Sequence, residues 1–195
     1  MTTTVTYSIT FHGPFRVATG NPSEGFDSTV GADPLPSSSL KGLMRTSAEQ
    51  LASIAAAPNL ALLVEEVFGV RGDAGAWAWT SASFDSPVSV ESRSRIAIDP
   101  VTHTVEKGAL MRAQHHEAES ARFHVTQIEA LADHDLNNHQ KLLSAAALGT
   151  HSLGGDRNRG FGWVTIRPDT NETTASFDPG TLAEWLLTTT EETGR

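Results

Sequence analysis

The residues best suited to chemistry lie in one glycine-rich stretch, 154–162, which reads Gly-Gly-Asp-Arg-Asn-Arg-Gly-Phe-Gly. Glycines allow backbone conformations that bulkier residues avoid, so this loop could approach a ligand closely. Arg157 and Arg159, with Asn158 between them, supply permanently charged planar groups that suit phosphate. This combination favours binding to a polyanion, above all nucleic acid. A β-turn with solvated arginines explains the same residues equally well.

A second candidate for phosphate binding is the stretch 37–42, Ser-Ser-Ser-Leu-Lys-Gly, at the beginning of a predicted helix. The amides of a first helical turn and the serine hydroxyls point to one place, where a phosphate could bind, and Lys41 adds positive charge. Helix capping by the serines is the alternative, and composition alone favours it. The order of residues is not that of a Walker loop.

Asp27 and Asp33 lie in the loop rich in Gly, Pro, Ser and Asp that precedes this helix. A carboxylate beside a bound phosphodiester can act as a general base or hold a divalent metal ion. Aspartate is also a frequent turn residue, and the sequence context alone favours that interpretation for both.

Other catalytic classes lack their motifs in this sequence. Cysteine is absent, which excludes disulfides and cysteine-ligated metal sites, and there is no Gly-x-Ser-x-Gly elbow for acyl transfer. His115 and His116, like the pair Asp135 and His139, do not reproduce a zinc pattern, so we interpret these histidines as surface residues. We interpret the tryptophans as core residues rather than as platforms for bases: Trp77, Trp79, Trp163 and Trp185.

Charge is segregated along the chain. The formal net charge is −9 in 195 residues, which argues against a protein that coats nucleic acid over its whole surface. Three short segments are locally basic, namely Lys41–Arg45, Arg93–Arg95 and Arg157–Arg159, and these predict a local track for a polyanion. The sequence contains neither a long apolar run nor a secretion leader, so we expect a cytoplasmic protein without membrane association.

The elements that position these residues alternate between strand and helix. The hydrophobic periodicity predicts strands at 3–11, 15–19, 77–84, 88–98, 122–130 and 163–167, and helices at 37–57, 60–68, 136–148 and around 182–187. Helices between paired strands indicate an α+β fold, with a ferredoxin-like sheet covered by helices. The stretch 99–121 has weak periodicity and many polar residues, so we expect it to project from the core.

Four motifs, in their order along the chain, resemble those of RAMP proteins (repeat-associated mysterious proteins). The stretch 35–45 is similar to the helix start P-G-S-S-L-K-G-x-x-R, and 68–75 is similar to the passage F-G…G. The stretch 95–110 is similar to R-x-x-I-D-R-x-T-x-x-A-x-x-G-x-L, and 154–162 to the loop G-G-x-x-x-R-G-x-G. Within this superfamily, the chain most resembles the repeating backbone subunit of type III (Csm/Cmr) CRISPR–Cas effector complexes.

The resemblance implies a single RAMP domain over residues 1–195, with an RRM-like palm, helical additions and an inserted thumb hairpin at about 99–121. It also implies that copies stack along a crRNA beside other RAMP subunits and the large subunit, and cleave complementary target RNA at regular intervals. The residues then expected to contact RNA are Ser38, Ser39, Lys41, Gly42, Arg45, Arg93, Arg95, Gly155, Arg157, Asn158, Arg159 and Gly160.

The stretch 25–30 is similar to the G-x-D-x-P-V segment of that family. The resemblance therefore implies that Asp27 is the catalytic residue and binds Mg²⁺ or another divalent cation, with Asp33 as second choice. The thumb would distort the target strand so that a 2′-OH attacks its own phosphate, with Leu110 or Met111 as an apolar wedge.

Two further assignments share these motifs. One is a terminal subunit that caps the filament without cutting, and the other is a nuclease-dead guide-binding subunit of a related DNA-targeting complex. Asp27 favours the ribonuclease, whereas the acidic composition favours an architectural RNA-binding subunit. A soluble α/β domain without any role in nucleic-acid binding is disfavoured by the four ordered motifs.

Overall fold

The centre of the main sheet is the strand β1 (Thr4–Phe11), in which apolar and polar residues alternate. The computed structural model describes residues 2–20, 25–55, 58–169 and 179–191. In β1, Val5, Tyr7 and Ile9 are buried. The residues between them point to the opposite face, because successive side chains of a strand alternate between the two sides of a sheet. β1 therefore separates an apolar side of the sheet from a polar side.

Prolines and glycines determine where several of the helices begin and end. One helix begins directly after Pro36 and the next begins with Pro58, whose fixed φ suits a first helical turn. Gly69, with a φ of 79°, ends the second helix. In chain order the elements are α1 (Ser37–Ala55), α2 (Pro58–Phe68), β2 (Trp77–Trp79), β3 (Ser83–Phe84), β4 (Ser89–Arg95), β5 (Met111–Glu117), β6 (Ser120–Gln127), α3 (Asp133–Gly149), a 3-10 turn (Arg157–Arg159), β7 (Val164–Pro168) and α4 (Pro179–Glu191).

The main sheet has the strand order β2-β6-β1-β7, and β3 also pairs with β6. All of these pairs are antiparallel, and Ser8 of β1 lies opposite both Arg122 of β6 and Arg167 of β7. Helices connect β1 to β2 and β6 to β7, so the two halves repeat a strand–helix–strand unit. This arrangement confirms the predicted α+β class with a ferredoxin-like sheet.

The hydrophobic core lies between the apolar face of the sheet and the helices. Tyr7 stacks on Phe123 with 5.2 Å between ring centroids, and both are fully buried. Leu40 of α1, Leu60 of α2 and Leu142 of α3 belong to the same buried cluster. Within the described residues, no helix combines the length and apolarity that crossing a bilayer requires.

The strands β4 and β5 form a separate hairpin, in which Ser89 lies opposite Glu117 and Arg95 lies opposite Met111. Residues 96–110 form its tip. The predicted thumb, about 99–121, covers part of the tip, β5 and the start of β6, whereas the hairpin begins at Ser89. The sequence predicts β4 as a strand, but the identity of its partner depends on pairing across the tip, which periodicity does not reveal.

Two predicted strands differ from the structure. The stretch 15–19 is not a strand, because it makes only isolated bridges, such as that between Phe15 and His116. The predicted strand 77–84 is split into β2 and β3, since Thr80 and Ser81 lie outside the sheet pairing. The predicted end of the first helix, 56–57, falls outside the described residues.

Candidate nucleic-acid interface

A cleft of about 390 Å³ joins the two stretches predicted to bind phosphate. Ser38, Ser39 and Gly42 line it together because residues three and four positions apart share one face of a helix. Gly154 and Arg157 of the glycine-rich loop complete this part of the lining. Arg157 is exposed and makes no ion pair with any described residue, so its charge is available to an anion.

The beginning of α1 is held by Asp33. One carboxylate oxygen of Asp33 accepts a hydrogen bond from the Ser81 hydroxyl (2.7 Å), and the other accepts from the Leu35 amide (3.2 Å). The Ser81 hydroxyl in turn accepts from the Ser37 amide (3.2 Å). Both oxygens of Asp33 are thus engaged in the helix start, as the interpretation of Asp33 as a turn residue predicts.

Two glycines of the loop are required by contacts within the chain. Gly154 and Gly162 have positive φ values of 74° and 71°. A Cβ on Gly154 would collide with the carbonyl oxygen of Arg16, and one on Gly162 with that of Leu153. Beside Gly160 there is open space, so that glycine, with a φ of 82°, is where the loop leaves room for a ligand.

Asp156 organises the charges around the loop. It adopts the left-handed conformation (φ 58°) and accepts two hydrogen bonds from the Arg95 guanidinium, at 2.9 and 2.6 Å. Arg16 lies 2.7 Å from the same carboxylate, and Arg159 lies 3.7 Å from it. The hydrogen bonds from Arg95 hold the pKa of the Asp156 carboxyl below its ordinary value. Asp156 therefore ties the loop to the hairpin and to the chain after β1, and three arginines share one carboxylate.

A second cleft, of about 650 Å³, lies between the glycine-rich loop and the hairpin. Its lining is Arg95, Ile96, Ala97, Gly108, Ala109, Met111 and Arg159. The 3-10 turn thus contributes Arg157 to the first cleft and Arg159 to the second. Leu110 and Met111, the predicted wedge residues, are both exposed. Arg93 instead lies over the ring of Phe161, at 5.0 Å from its centroid.

Lys41 and Arg45 contact the protein outside these clefts. The Lys41 ammonium donates to the carbonyl of Ala74 (2.7 Å) and lies 5.1 Å from the centre of the Trp79 ring. Burial, with a smaller contribution from the Arg45 charge, lowers the pKa of Lys41. Arg45 donates to the carbonyl of Gly69 (3.1 Å). The two cations therefore stabilise the turn after α2, and their contact with RNA stays a prediction.

Asp27 lies at a bend of the chain beside the hairpin. Its amide donates to the carbonyl of Arg112 (2.9 Å), and its carboxylate accepts from the amide of Arg112 (2.7 Å). The side chain is exposed. No group of three His, Asp or Glu residues in the described part of the chain could hold a metal ion. Mg²⁺ commonly takes only one or two carboxylates and completes its shell with water and phosphate oxygens, so Asp27 fits as a single protein ligand of an ion shared with RNA.

The histidines interpreted as surface residues are buried, so that interpretation is wrong. His115 meets the ring of Phe161 edge-on, with centroids 5.3 Å apart, and His116 lies 5.4 Å from Phe15. His139 is equally enclosed, inside the contact between α2, α3 and β2. Sequence periodicity misses His115 and His116 because these two adjacent residues of β5 point to opposite sides of the strand, and both sides are covered.

Two residues of the interface have no individual role in the sequence interpretation, namely Asp156 and Arg16. A single carboxylate inside a basic loop is a signal for Asp156, since its neighbours at 157 and 159 carry the opposite charge. Arg16 has no such signal, because its contact with Asp156 joins residues far apart in the sequence.

Comparison with known proteins identifies a family whose model matches this chain and two solved structures with a similar fold. The model of the RAMP superfamily matches residues 8–165. A chain of the type III-B Cmr-beta cryo-EM structure in the apo state is 12% identical, with a TM-score of 0.64 over 86% of this chain and 98% of that one. A chain of the same assembly bound to cognate target RNA is 13% identical, with a TM-score of 0.62 over 85% and 97%. Comparison with curated protein sequences gives no significant match.

Proposed function

The chain belongs to the RAMP superfamily, and from this membership we propose that it is a crRNA-binding backbone subunit of a type III CRISPR–Cas effector complex. Similar chains occur in type III-B Cmr-beta, including the form bound to cognate target RNA. The proposed partners are therefore crRNA, target RNA, further copies of the chain or other RAMP subunits, and the large subunit.

The cleft between α1 and the glycine-rich loop is the observation that carries this proposal. It combines hydroxyls from the first turn of a helix with the unpaired cation Arg157. Such groups hold phosphates without reading bases, as a guide-binding subunit must, because guides differ in sequence. The formal net charge of −9 disfavours non-specific coating of the whole surface with RNA, so binding would depend on local groups of cations such as this one.

The hairpin is the proposed thumb. Its tip exposes Ile98 and Leu110, which are 60% and 57% accessible, and Met111, the first residue of β5 after the tip, is 53% accessible. Apolar side chains of this size can insert between stacked bases and unstack them. Since Asp156 ties the loop to Arg95, the last residue of β4 before the tip, the tip would be presented at a fixed place relative to the guide.

We propose that Asp27 supports cleavage of the target RNA. The 2′-oxygen of a distorted nucleotide attacks its phosphorus, the bond to the 5′-oxygen of the next nucleotide breaks, and a 2′,3′-cyclic phosphate and a 5′-hydroxyl form. Asp27 would take the proton of the attacking 2′-OH, and a water molecule would protonate the leaving 5′-oxygen. A divalent cation bound there would offset the negative charge that develops on the phosphate.

Asp27→Asn tests this assignment in the assembled, crRNA-loaded complex with complementary RNA and magnesium. Asparagine keeps a carbonyl oxygen for the Arg112 amide but removes the negative charge. We expect assembly and RNA binding to be retained, and cleavage at regular intervals to fall by about a hundredfold or more. Asp85→Asn, at an exposed carboxylate paired with Arg122, is the matched control and should cut normally. Full cleavage by the Asp27→Asn complex would contradict the assignment.

A non-catalytic, filament-capping subunit is the second candidate. It is favoured by the lack of a preformed metal cluster in the described residues, and by the acidic composition. A complex that contains one copy of the chain, retains crRNA and never cuts would support it.

A further inference from the structure

The face of the main sheet that points away from the helices is polar, and most of its described side chains are at least partly exposed, although Thr6 is buried. α1, α2 and α3 all pack against the face that carries Tyr7 and Ile9. No described helix covers the other face, and its side chains are mostly hydroxyls and cations. These side chains are Ser8, Thr10, His12, Ser120, Arg122, His124, Thr165 and Arg167.

Trp163 extends this face at one edge. The sequence interpretation of Trp163 as a core residue is therefore wrong. It is 55% exposed, whereas the next residue, Val164, is 3% exposed. Alternation along the strand then places Trp163, Thr165 and Arg167 on the same side. His12 lies beside them, because its amide donates to the Trp163 carbonyl (2.9 Å) and its ring is 2.8 Å from the Thr165 hydroxyl.

Two arginines lie in one row across the face. Ser8 is directly opposite Arg122 on one side and Arg167 on the other, so the two arginines are two strand spacings apart, or about 10 Å. Arg122 has Asp85 at 3.7 Å, with both side chains largely exposed. Arg167 has no carboxylate within ion-pair distance among the described residues.

We propose that this open face, with Trp163, Arg167 and Arg122, is a binding surface for single-stranded RNA. An exposed indole beside cations and hydroxyls offers a flat partner for a base together with donors for its phosphates and 2′-hydroxyls. A protein partner that covered an apolar patch would require a cluster of aliphatic side chains, and the described residues of this face include none. The row of charges favours a chain of phosphates.

This surface is distinct from the cleft proposed to hold the guide. The cleft is lined by α1, by the end of α3 and by Arg157, all on the helix side of the sheet or at its rim. The open face is on the other side of the same sheet. The inference therefore goes beyond the proposed function and does not depend on it.

The test measures binding of the full-length chain to a short fluorescein-labelled oligouridylate by anisotropy, at several salt concentrations. Trp163→Ala should weaken binding about tenfold, which is within the range for loss of one base–aromatic stack, while Trp163→Phe should retain most of the affinity. Arg167→Glu should weaken binding by a similar factor and lower the salt dependence. Arg71→Glu, an equal charge reversal at an exposed turn after α2, is the matched control and should have little effect.

Each outcome decides. Since Trp163 and Arg167 are exposed, the variants should unfold at the temperature of the parent, and circular dichroism verifies this. Equal affinities of the Trp163→Ala, Arg167→Glu and Arg71→Glu variants, or no binding of the oligouridylate by the parent, would overturn the inference. Variants that bind RNA normally but lose association with neighbouring subunits would also overturn it, in favour of a protein interface. An Arg157→Glu variant separates the two sites. If this variant loses crRNA, the guide proposal is supported, whether or not the open face binds the oligouridylate.

Discussion

Asp156 is the residue that joins the separate parts of the candidate interface. Its left-handed backbone conformation (φ 58°) is one that asparagine tolerates, so Asp156→Asn should keep the loop's path while it removes the charge. Arg16 and Arg95 then lose their shared partner in a site where Asp156 is 11% exposed. We expect the free energy of unfolding to fall by about 1.5–3 kcal/mol, the range for hydrogen bonds to charged groups, as measured by urea denaturation.

Asp85→Asn is the control for that substitution. The pair of Asp85 and Arg122 is exposed and 3.7 Å apart, so its loss should cost no more than about 1 kcal/mol. If the two variants lose equal stability, Asp156 does not hold the interface in the way described.

How far single residues can be assigned from the sequence depends on how local their contacts are. Ser38, Ser39 and Gly42 were predicted to act with Arg157, and they do line one cleft, because helix periodicity and a loop motif are local signals. The contact that Lys41 makes within the chain is not evident from the sequence, since its partner Ala74 lies 33 positions further along, in the loop after α2. The exposure of Trp163 likewise depends on which face of β7 the helices cover. The residues near Trp163 in the sequence do not indicate which face that is.

Among the elements, the hairpin is one whose attachment should respond to pH. His115 and His116 lie on β5 and are 3% and 2% exposed. Burial lowers the pKa of both rings, and the Arg93 charge lowers that of His115 further, against a smaller opposing effect of Glu117. The unfolded chain, with histidine pKa values of about 6.5, then binds more protons than the folded chain in mild acid. The stability that these neutral rings contribute is complete above about pH 6.5 and is lost as the pH falls.

Hydrogen–deuterium exchange measures this effect. After correction for intrinsic rates, amides of β5 should lose protection between about pH 7 and pH 5, while those of β1 should keep it. His116→Phe should reduce the loss, because phenylalanine packs against Phe15 and does not titrate. Protection of β5 that is independent of pH would contradict the proposed role of the two histidines.

The helices were predicted from the sequence more closely than the short strands. α1, α2 and α3 each show several turns of apolar periodicity, and the structure places them within a few residues of the predicted bounds. The stretch 15–19 has the composition of a strand but not its pairing, since Pro14 and Gly13 redirect the chain before β1 could continue. Strands are defined by their partners, and partners are distant in the sequence.

For the molecule as a whole, the balance between an acidic surface and a few local cations should govern RNA binding. Arg157→Glu removes one phosphate contact in the cleft, so the slope of log affinity for crRNA against log salt should become shallower by about one. Filter binding with the full-length chain measures that slope. Arg71→Glu makes the same change in net charge away from the cleft and should lower affinity without the change in slope. Equal slopes in both variants would place the phosphate contact elsewhere.

The global architecture follows from the alternation of strands and helices in the sequence. Two strand–helix–strand units restrict an antiparallel sheet to few arrangements, and the ferredoxin-like order β2-β6-β1-β7 is one of them. The hairpin is harder to derive, because β4 is almost entirely exposed and carries no apolar face that would identify it. Its existence depends on hydrogen bonds to β5 and on the anchoring of Arg95 by Asp156.

The position of Asp156 has a consequence for any phosphate that approaches the loop. Arg95 and Arg159 already face a carboxylate, so an incoming phosphate has to compete with an anion that is part of the chain. A guanidinium that turned toward such a phosphate would be released from Asp156, and release of Arg95 would remove one of several contacts that hold the hairpin, beside the Phe15–His116 bridge and the Arg112–Asp27 hydrogen bonds. Asp156 would thus weaken phosphate binding to the loop by competition, and a phosphate bound there would loosen one contact of the hairpin.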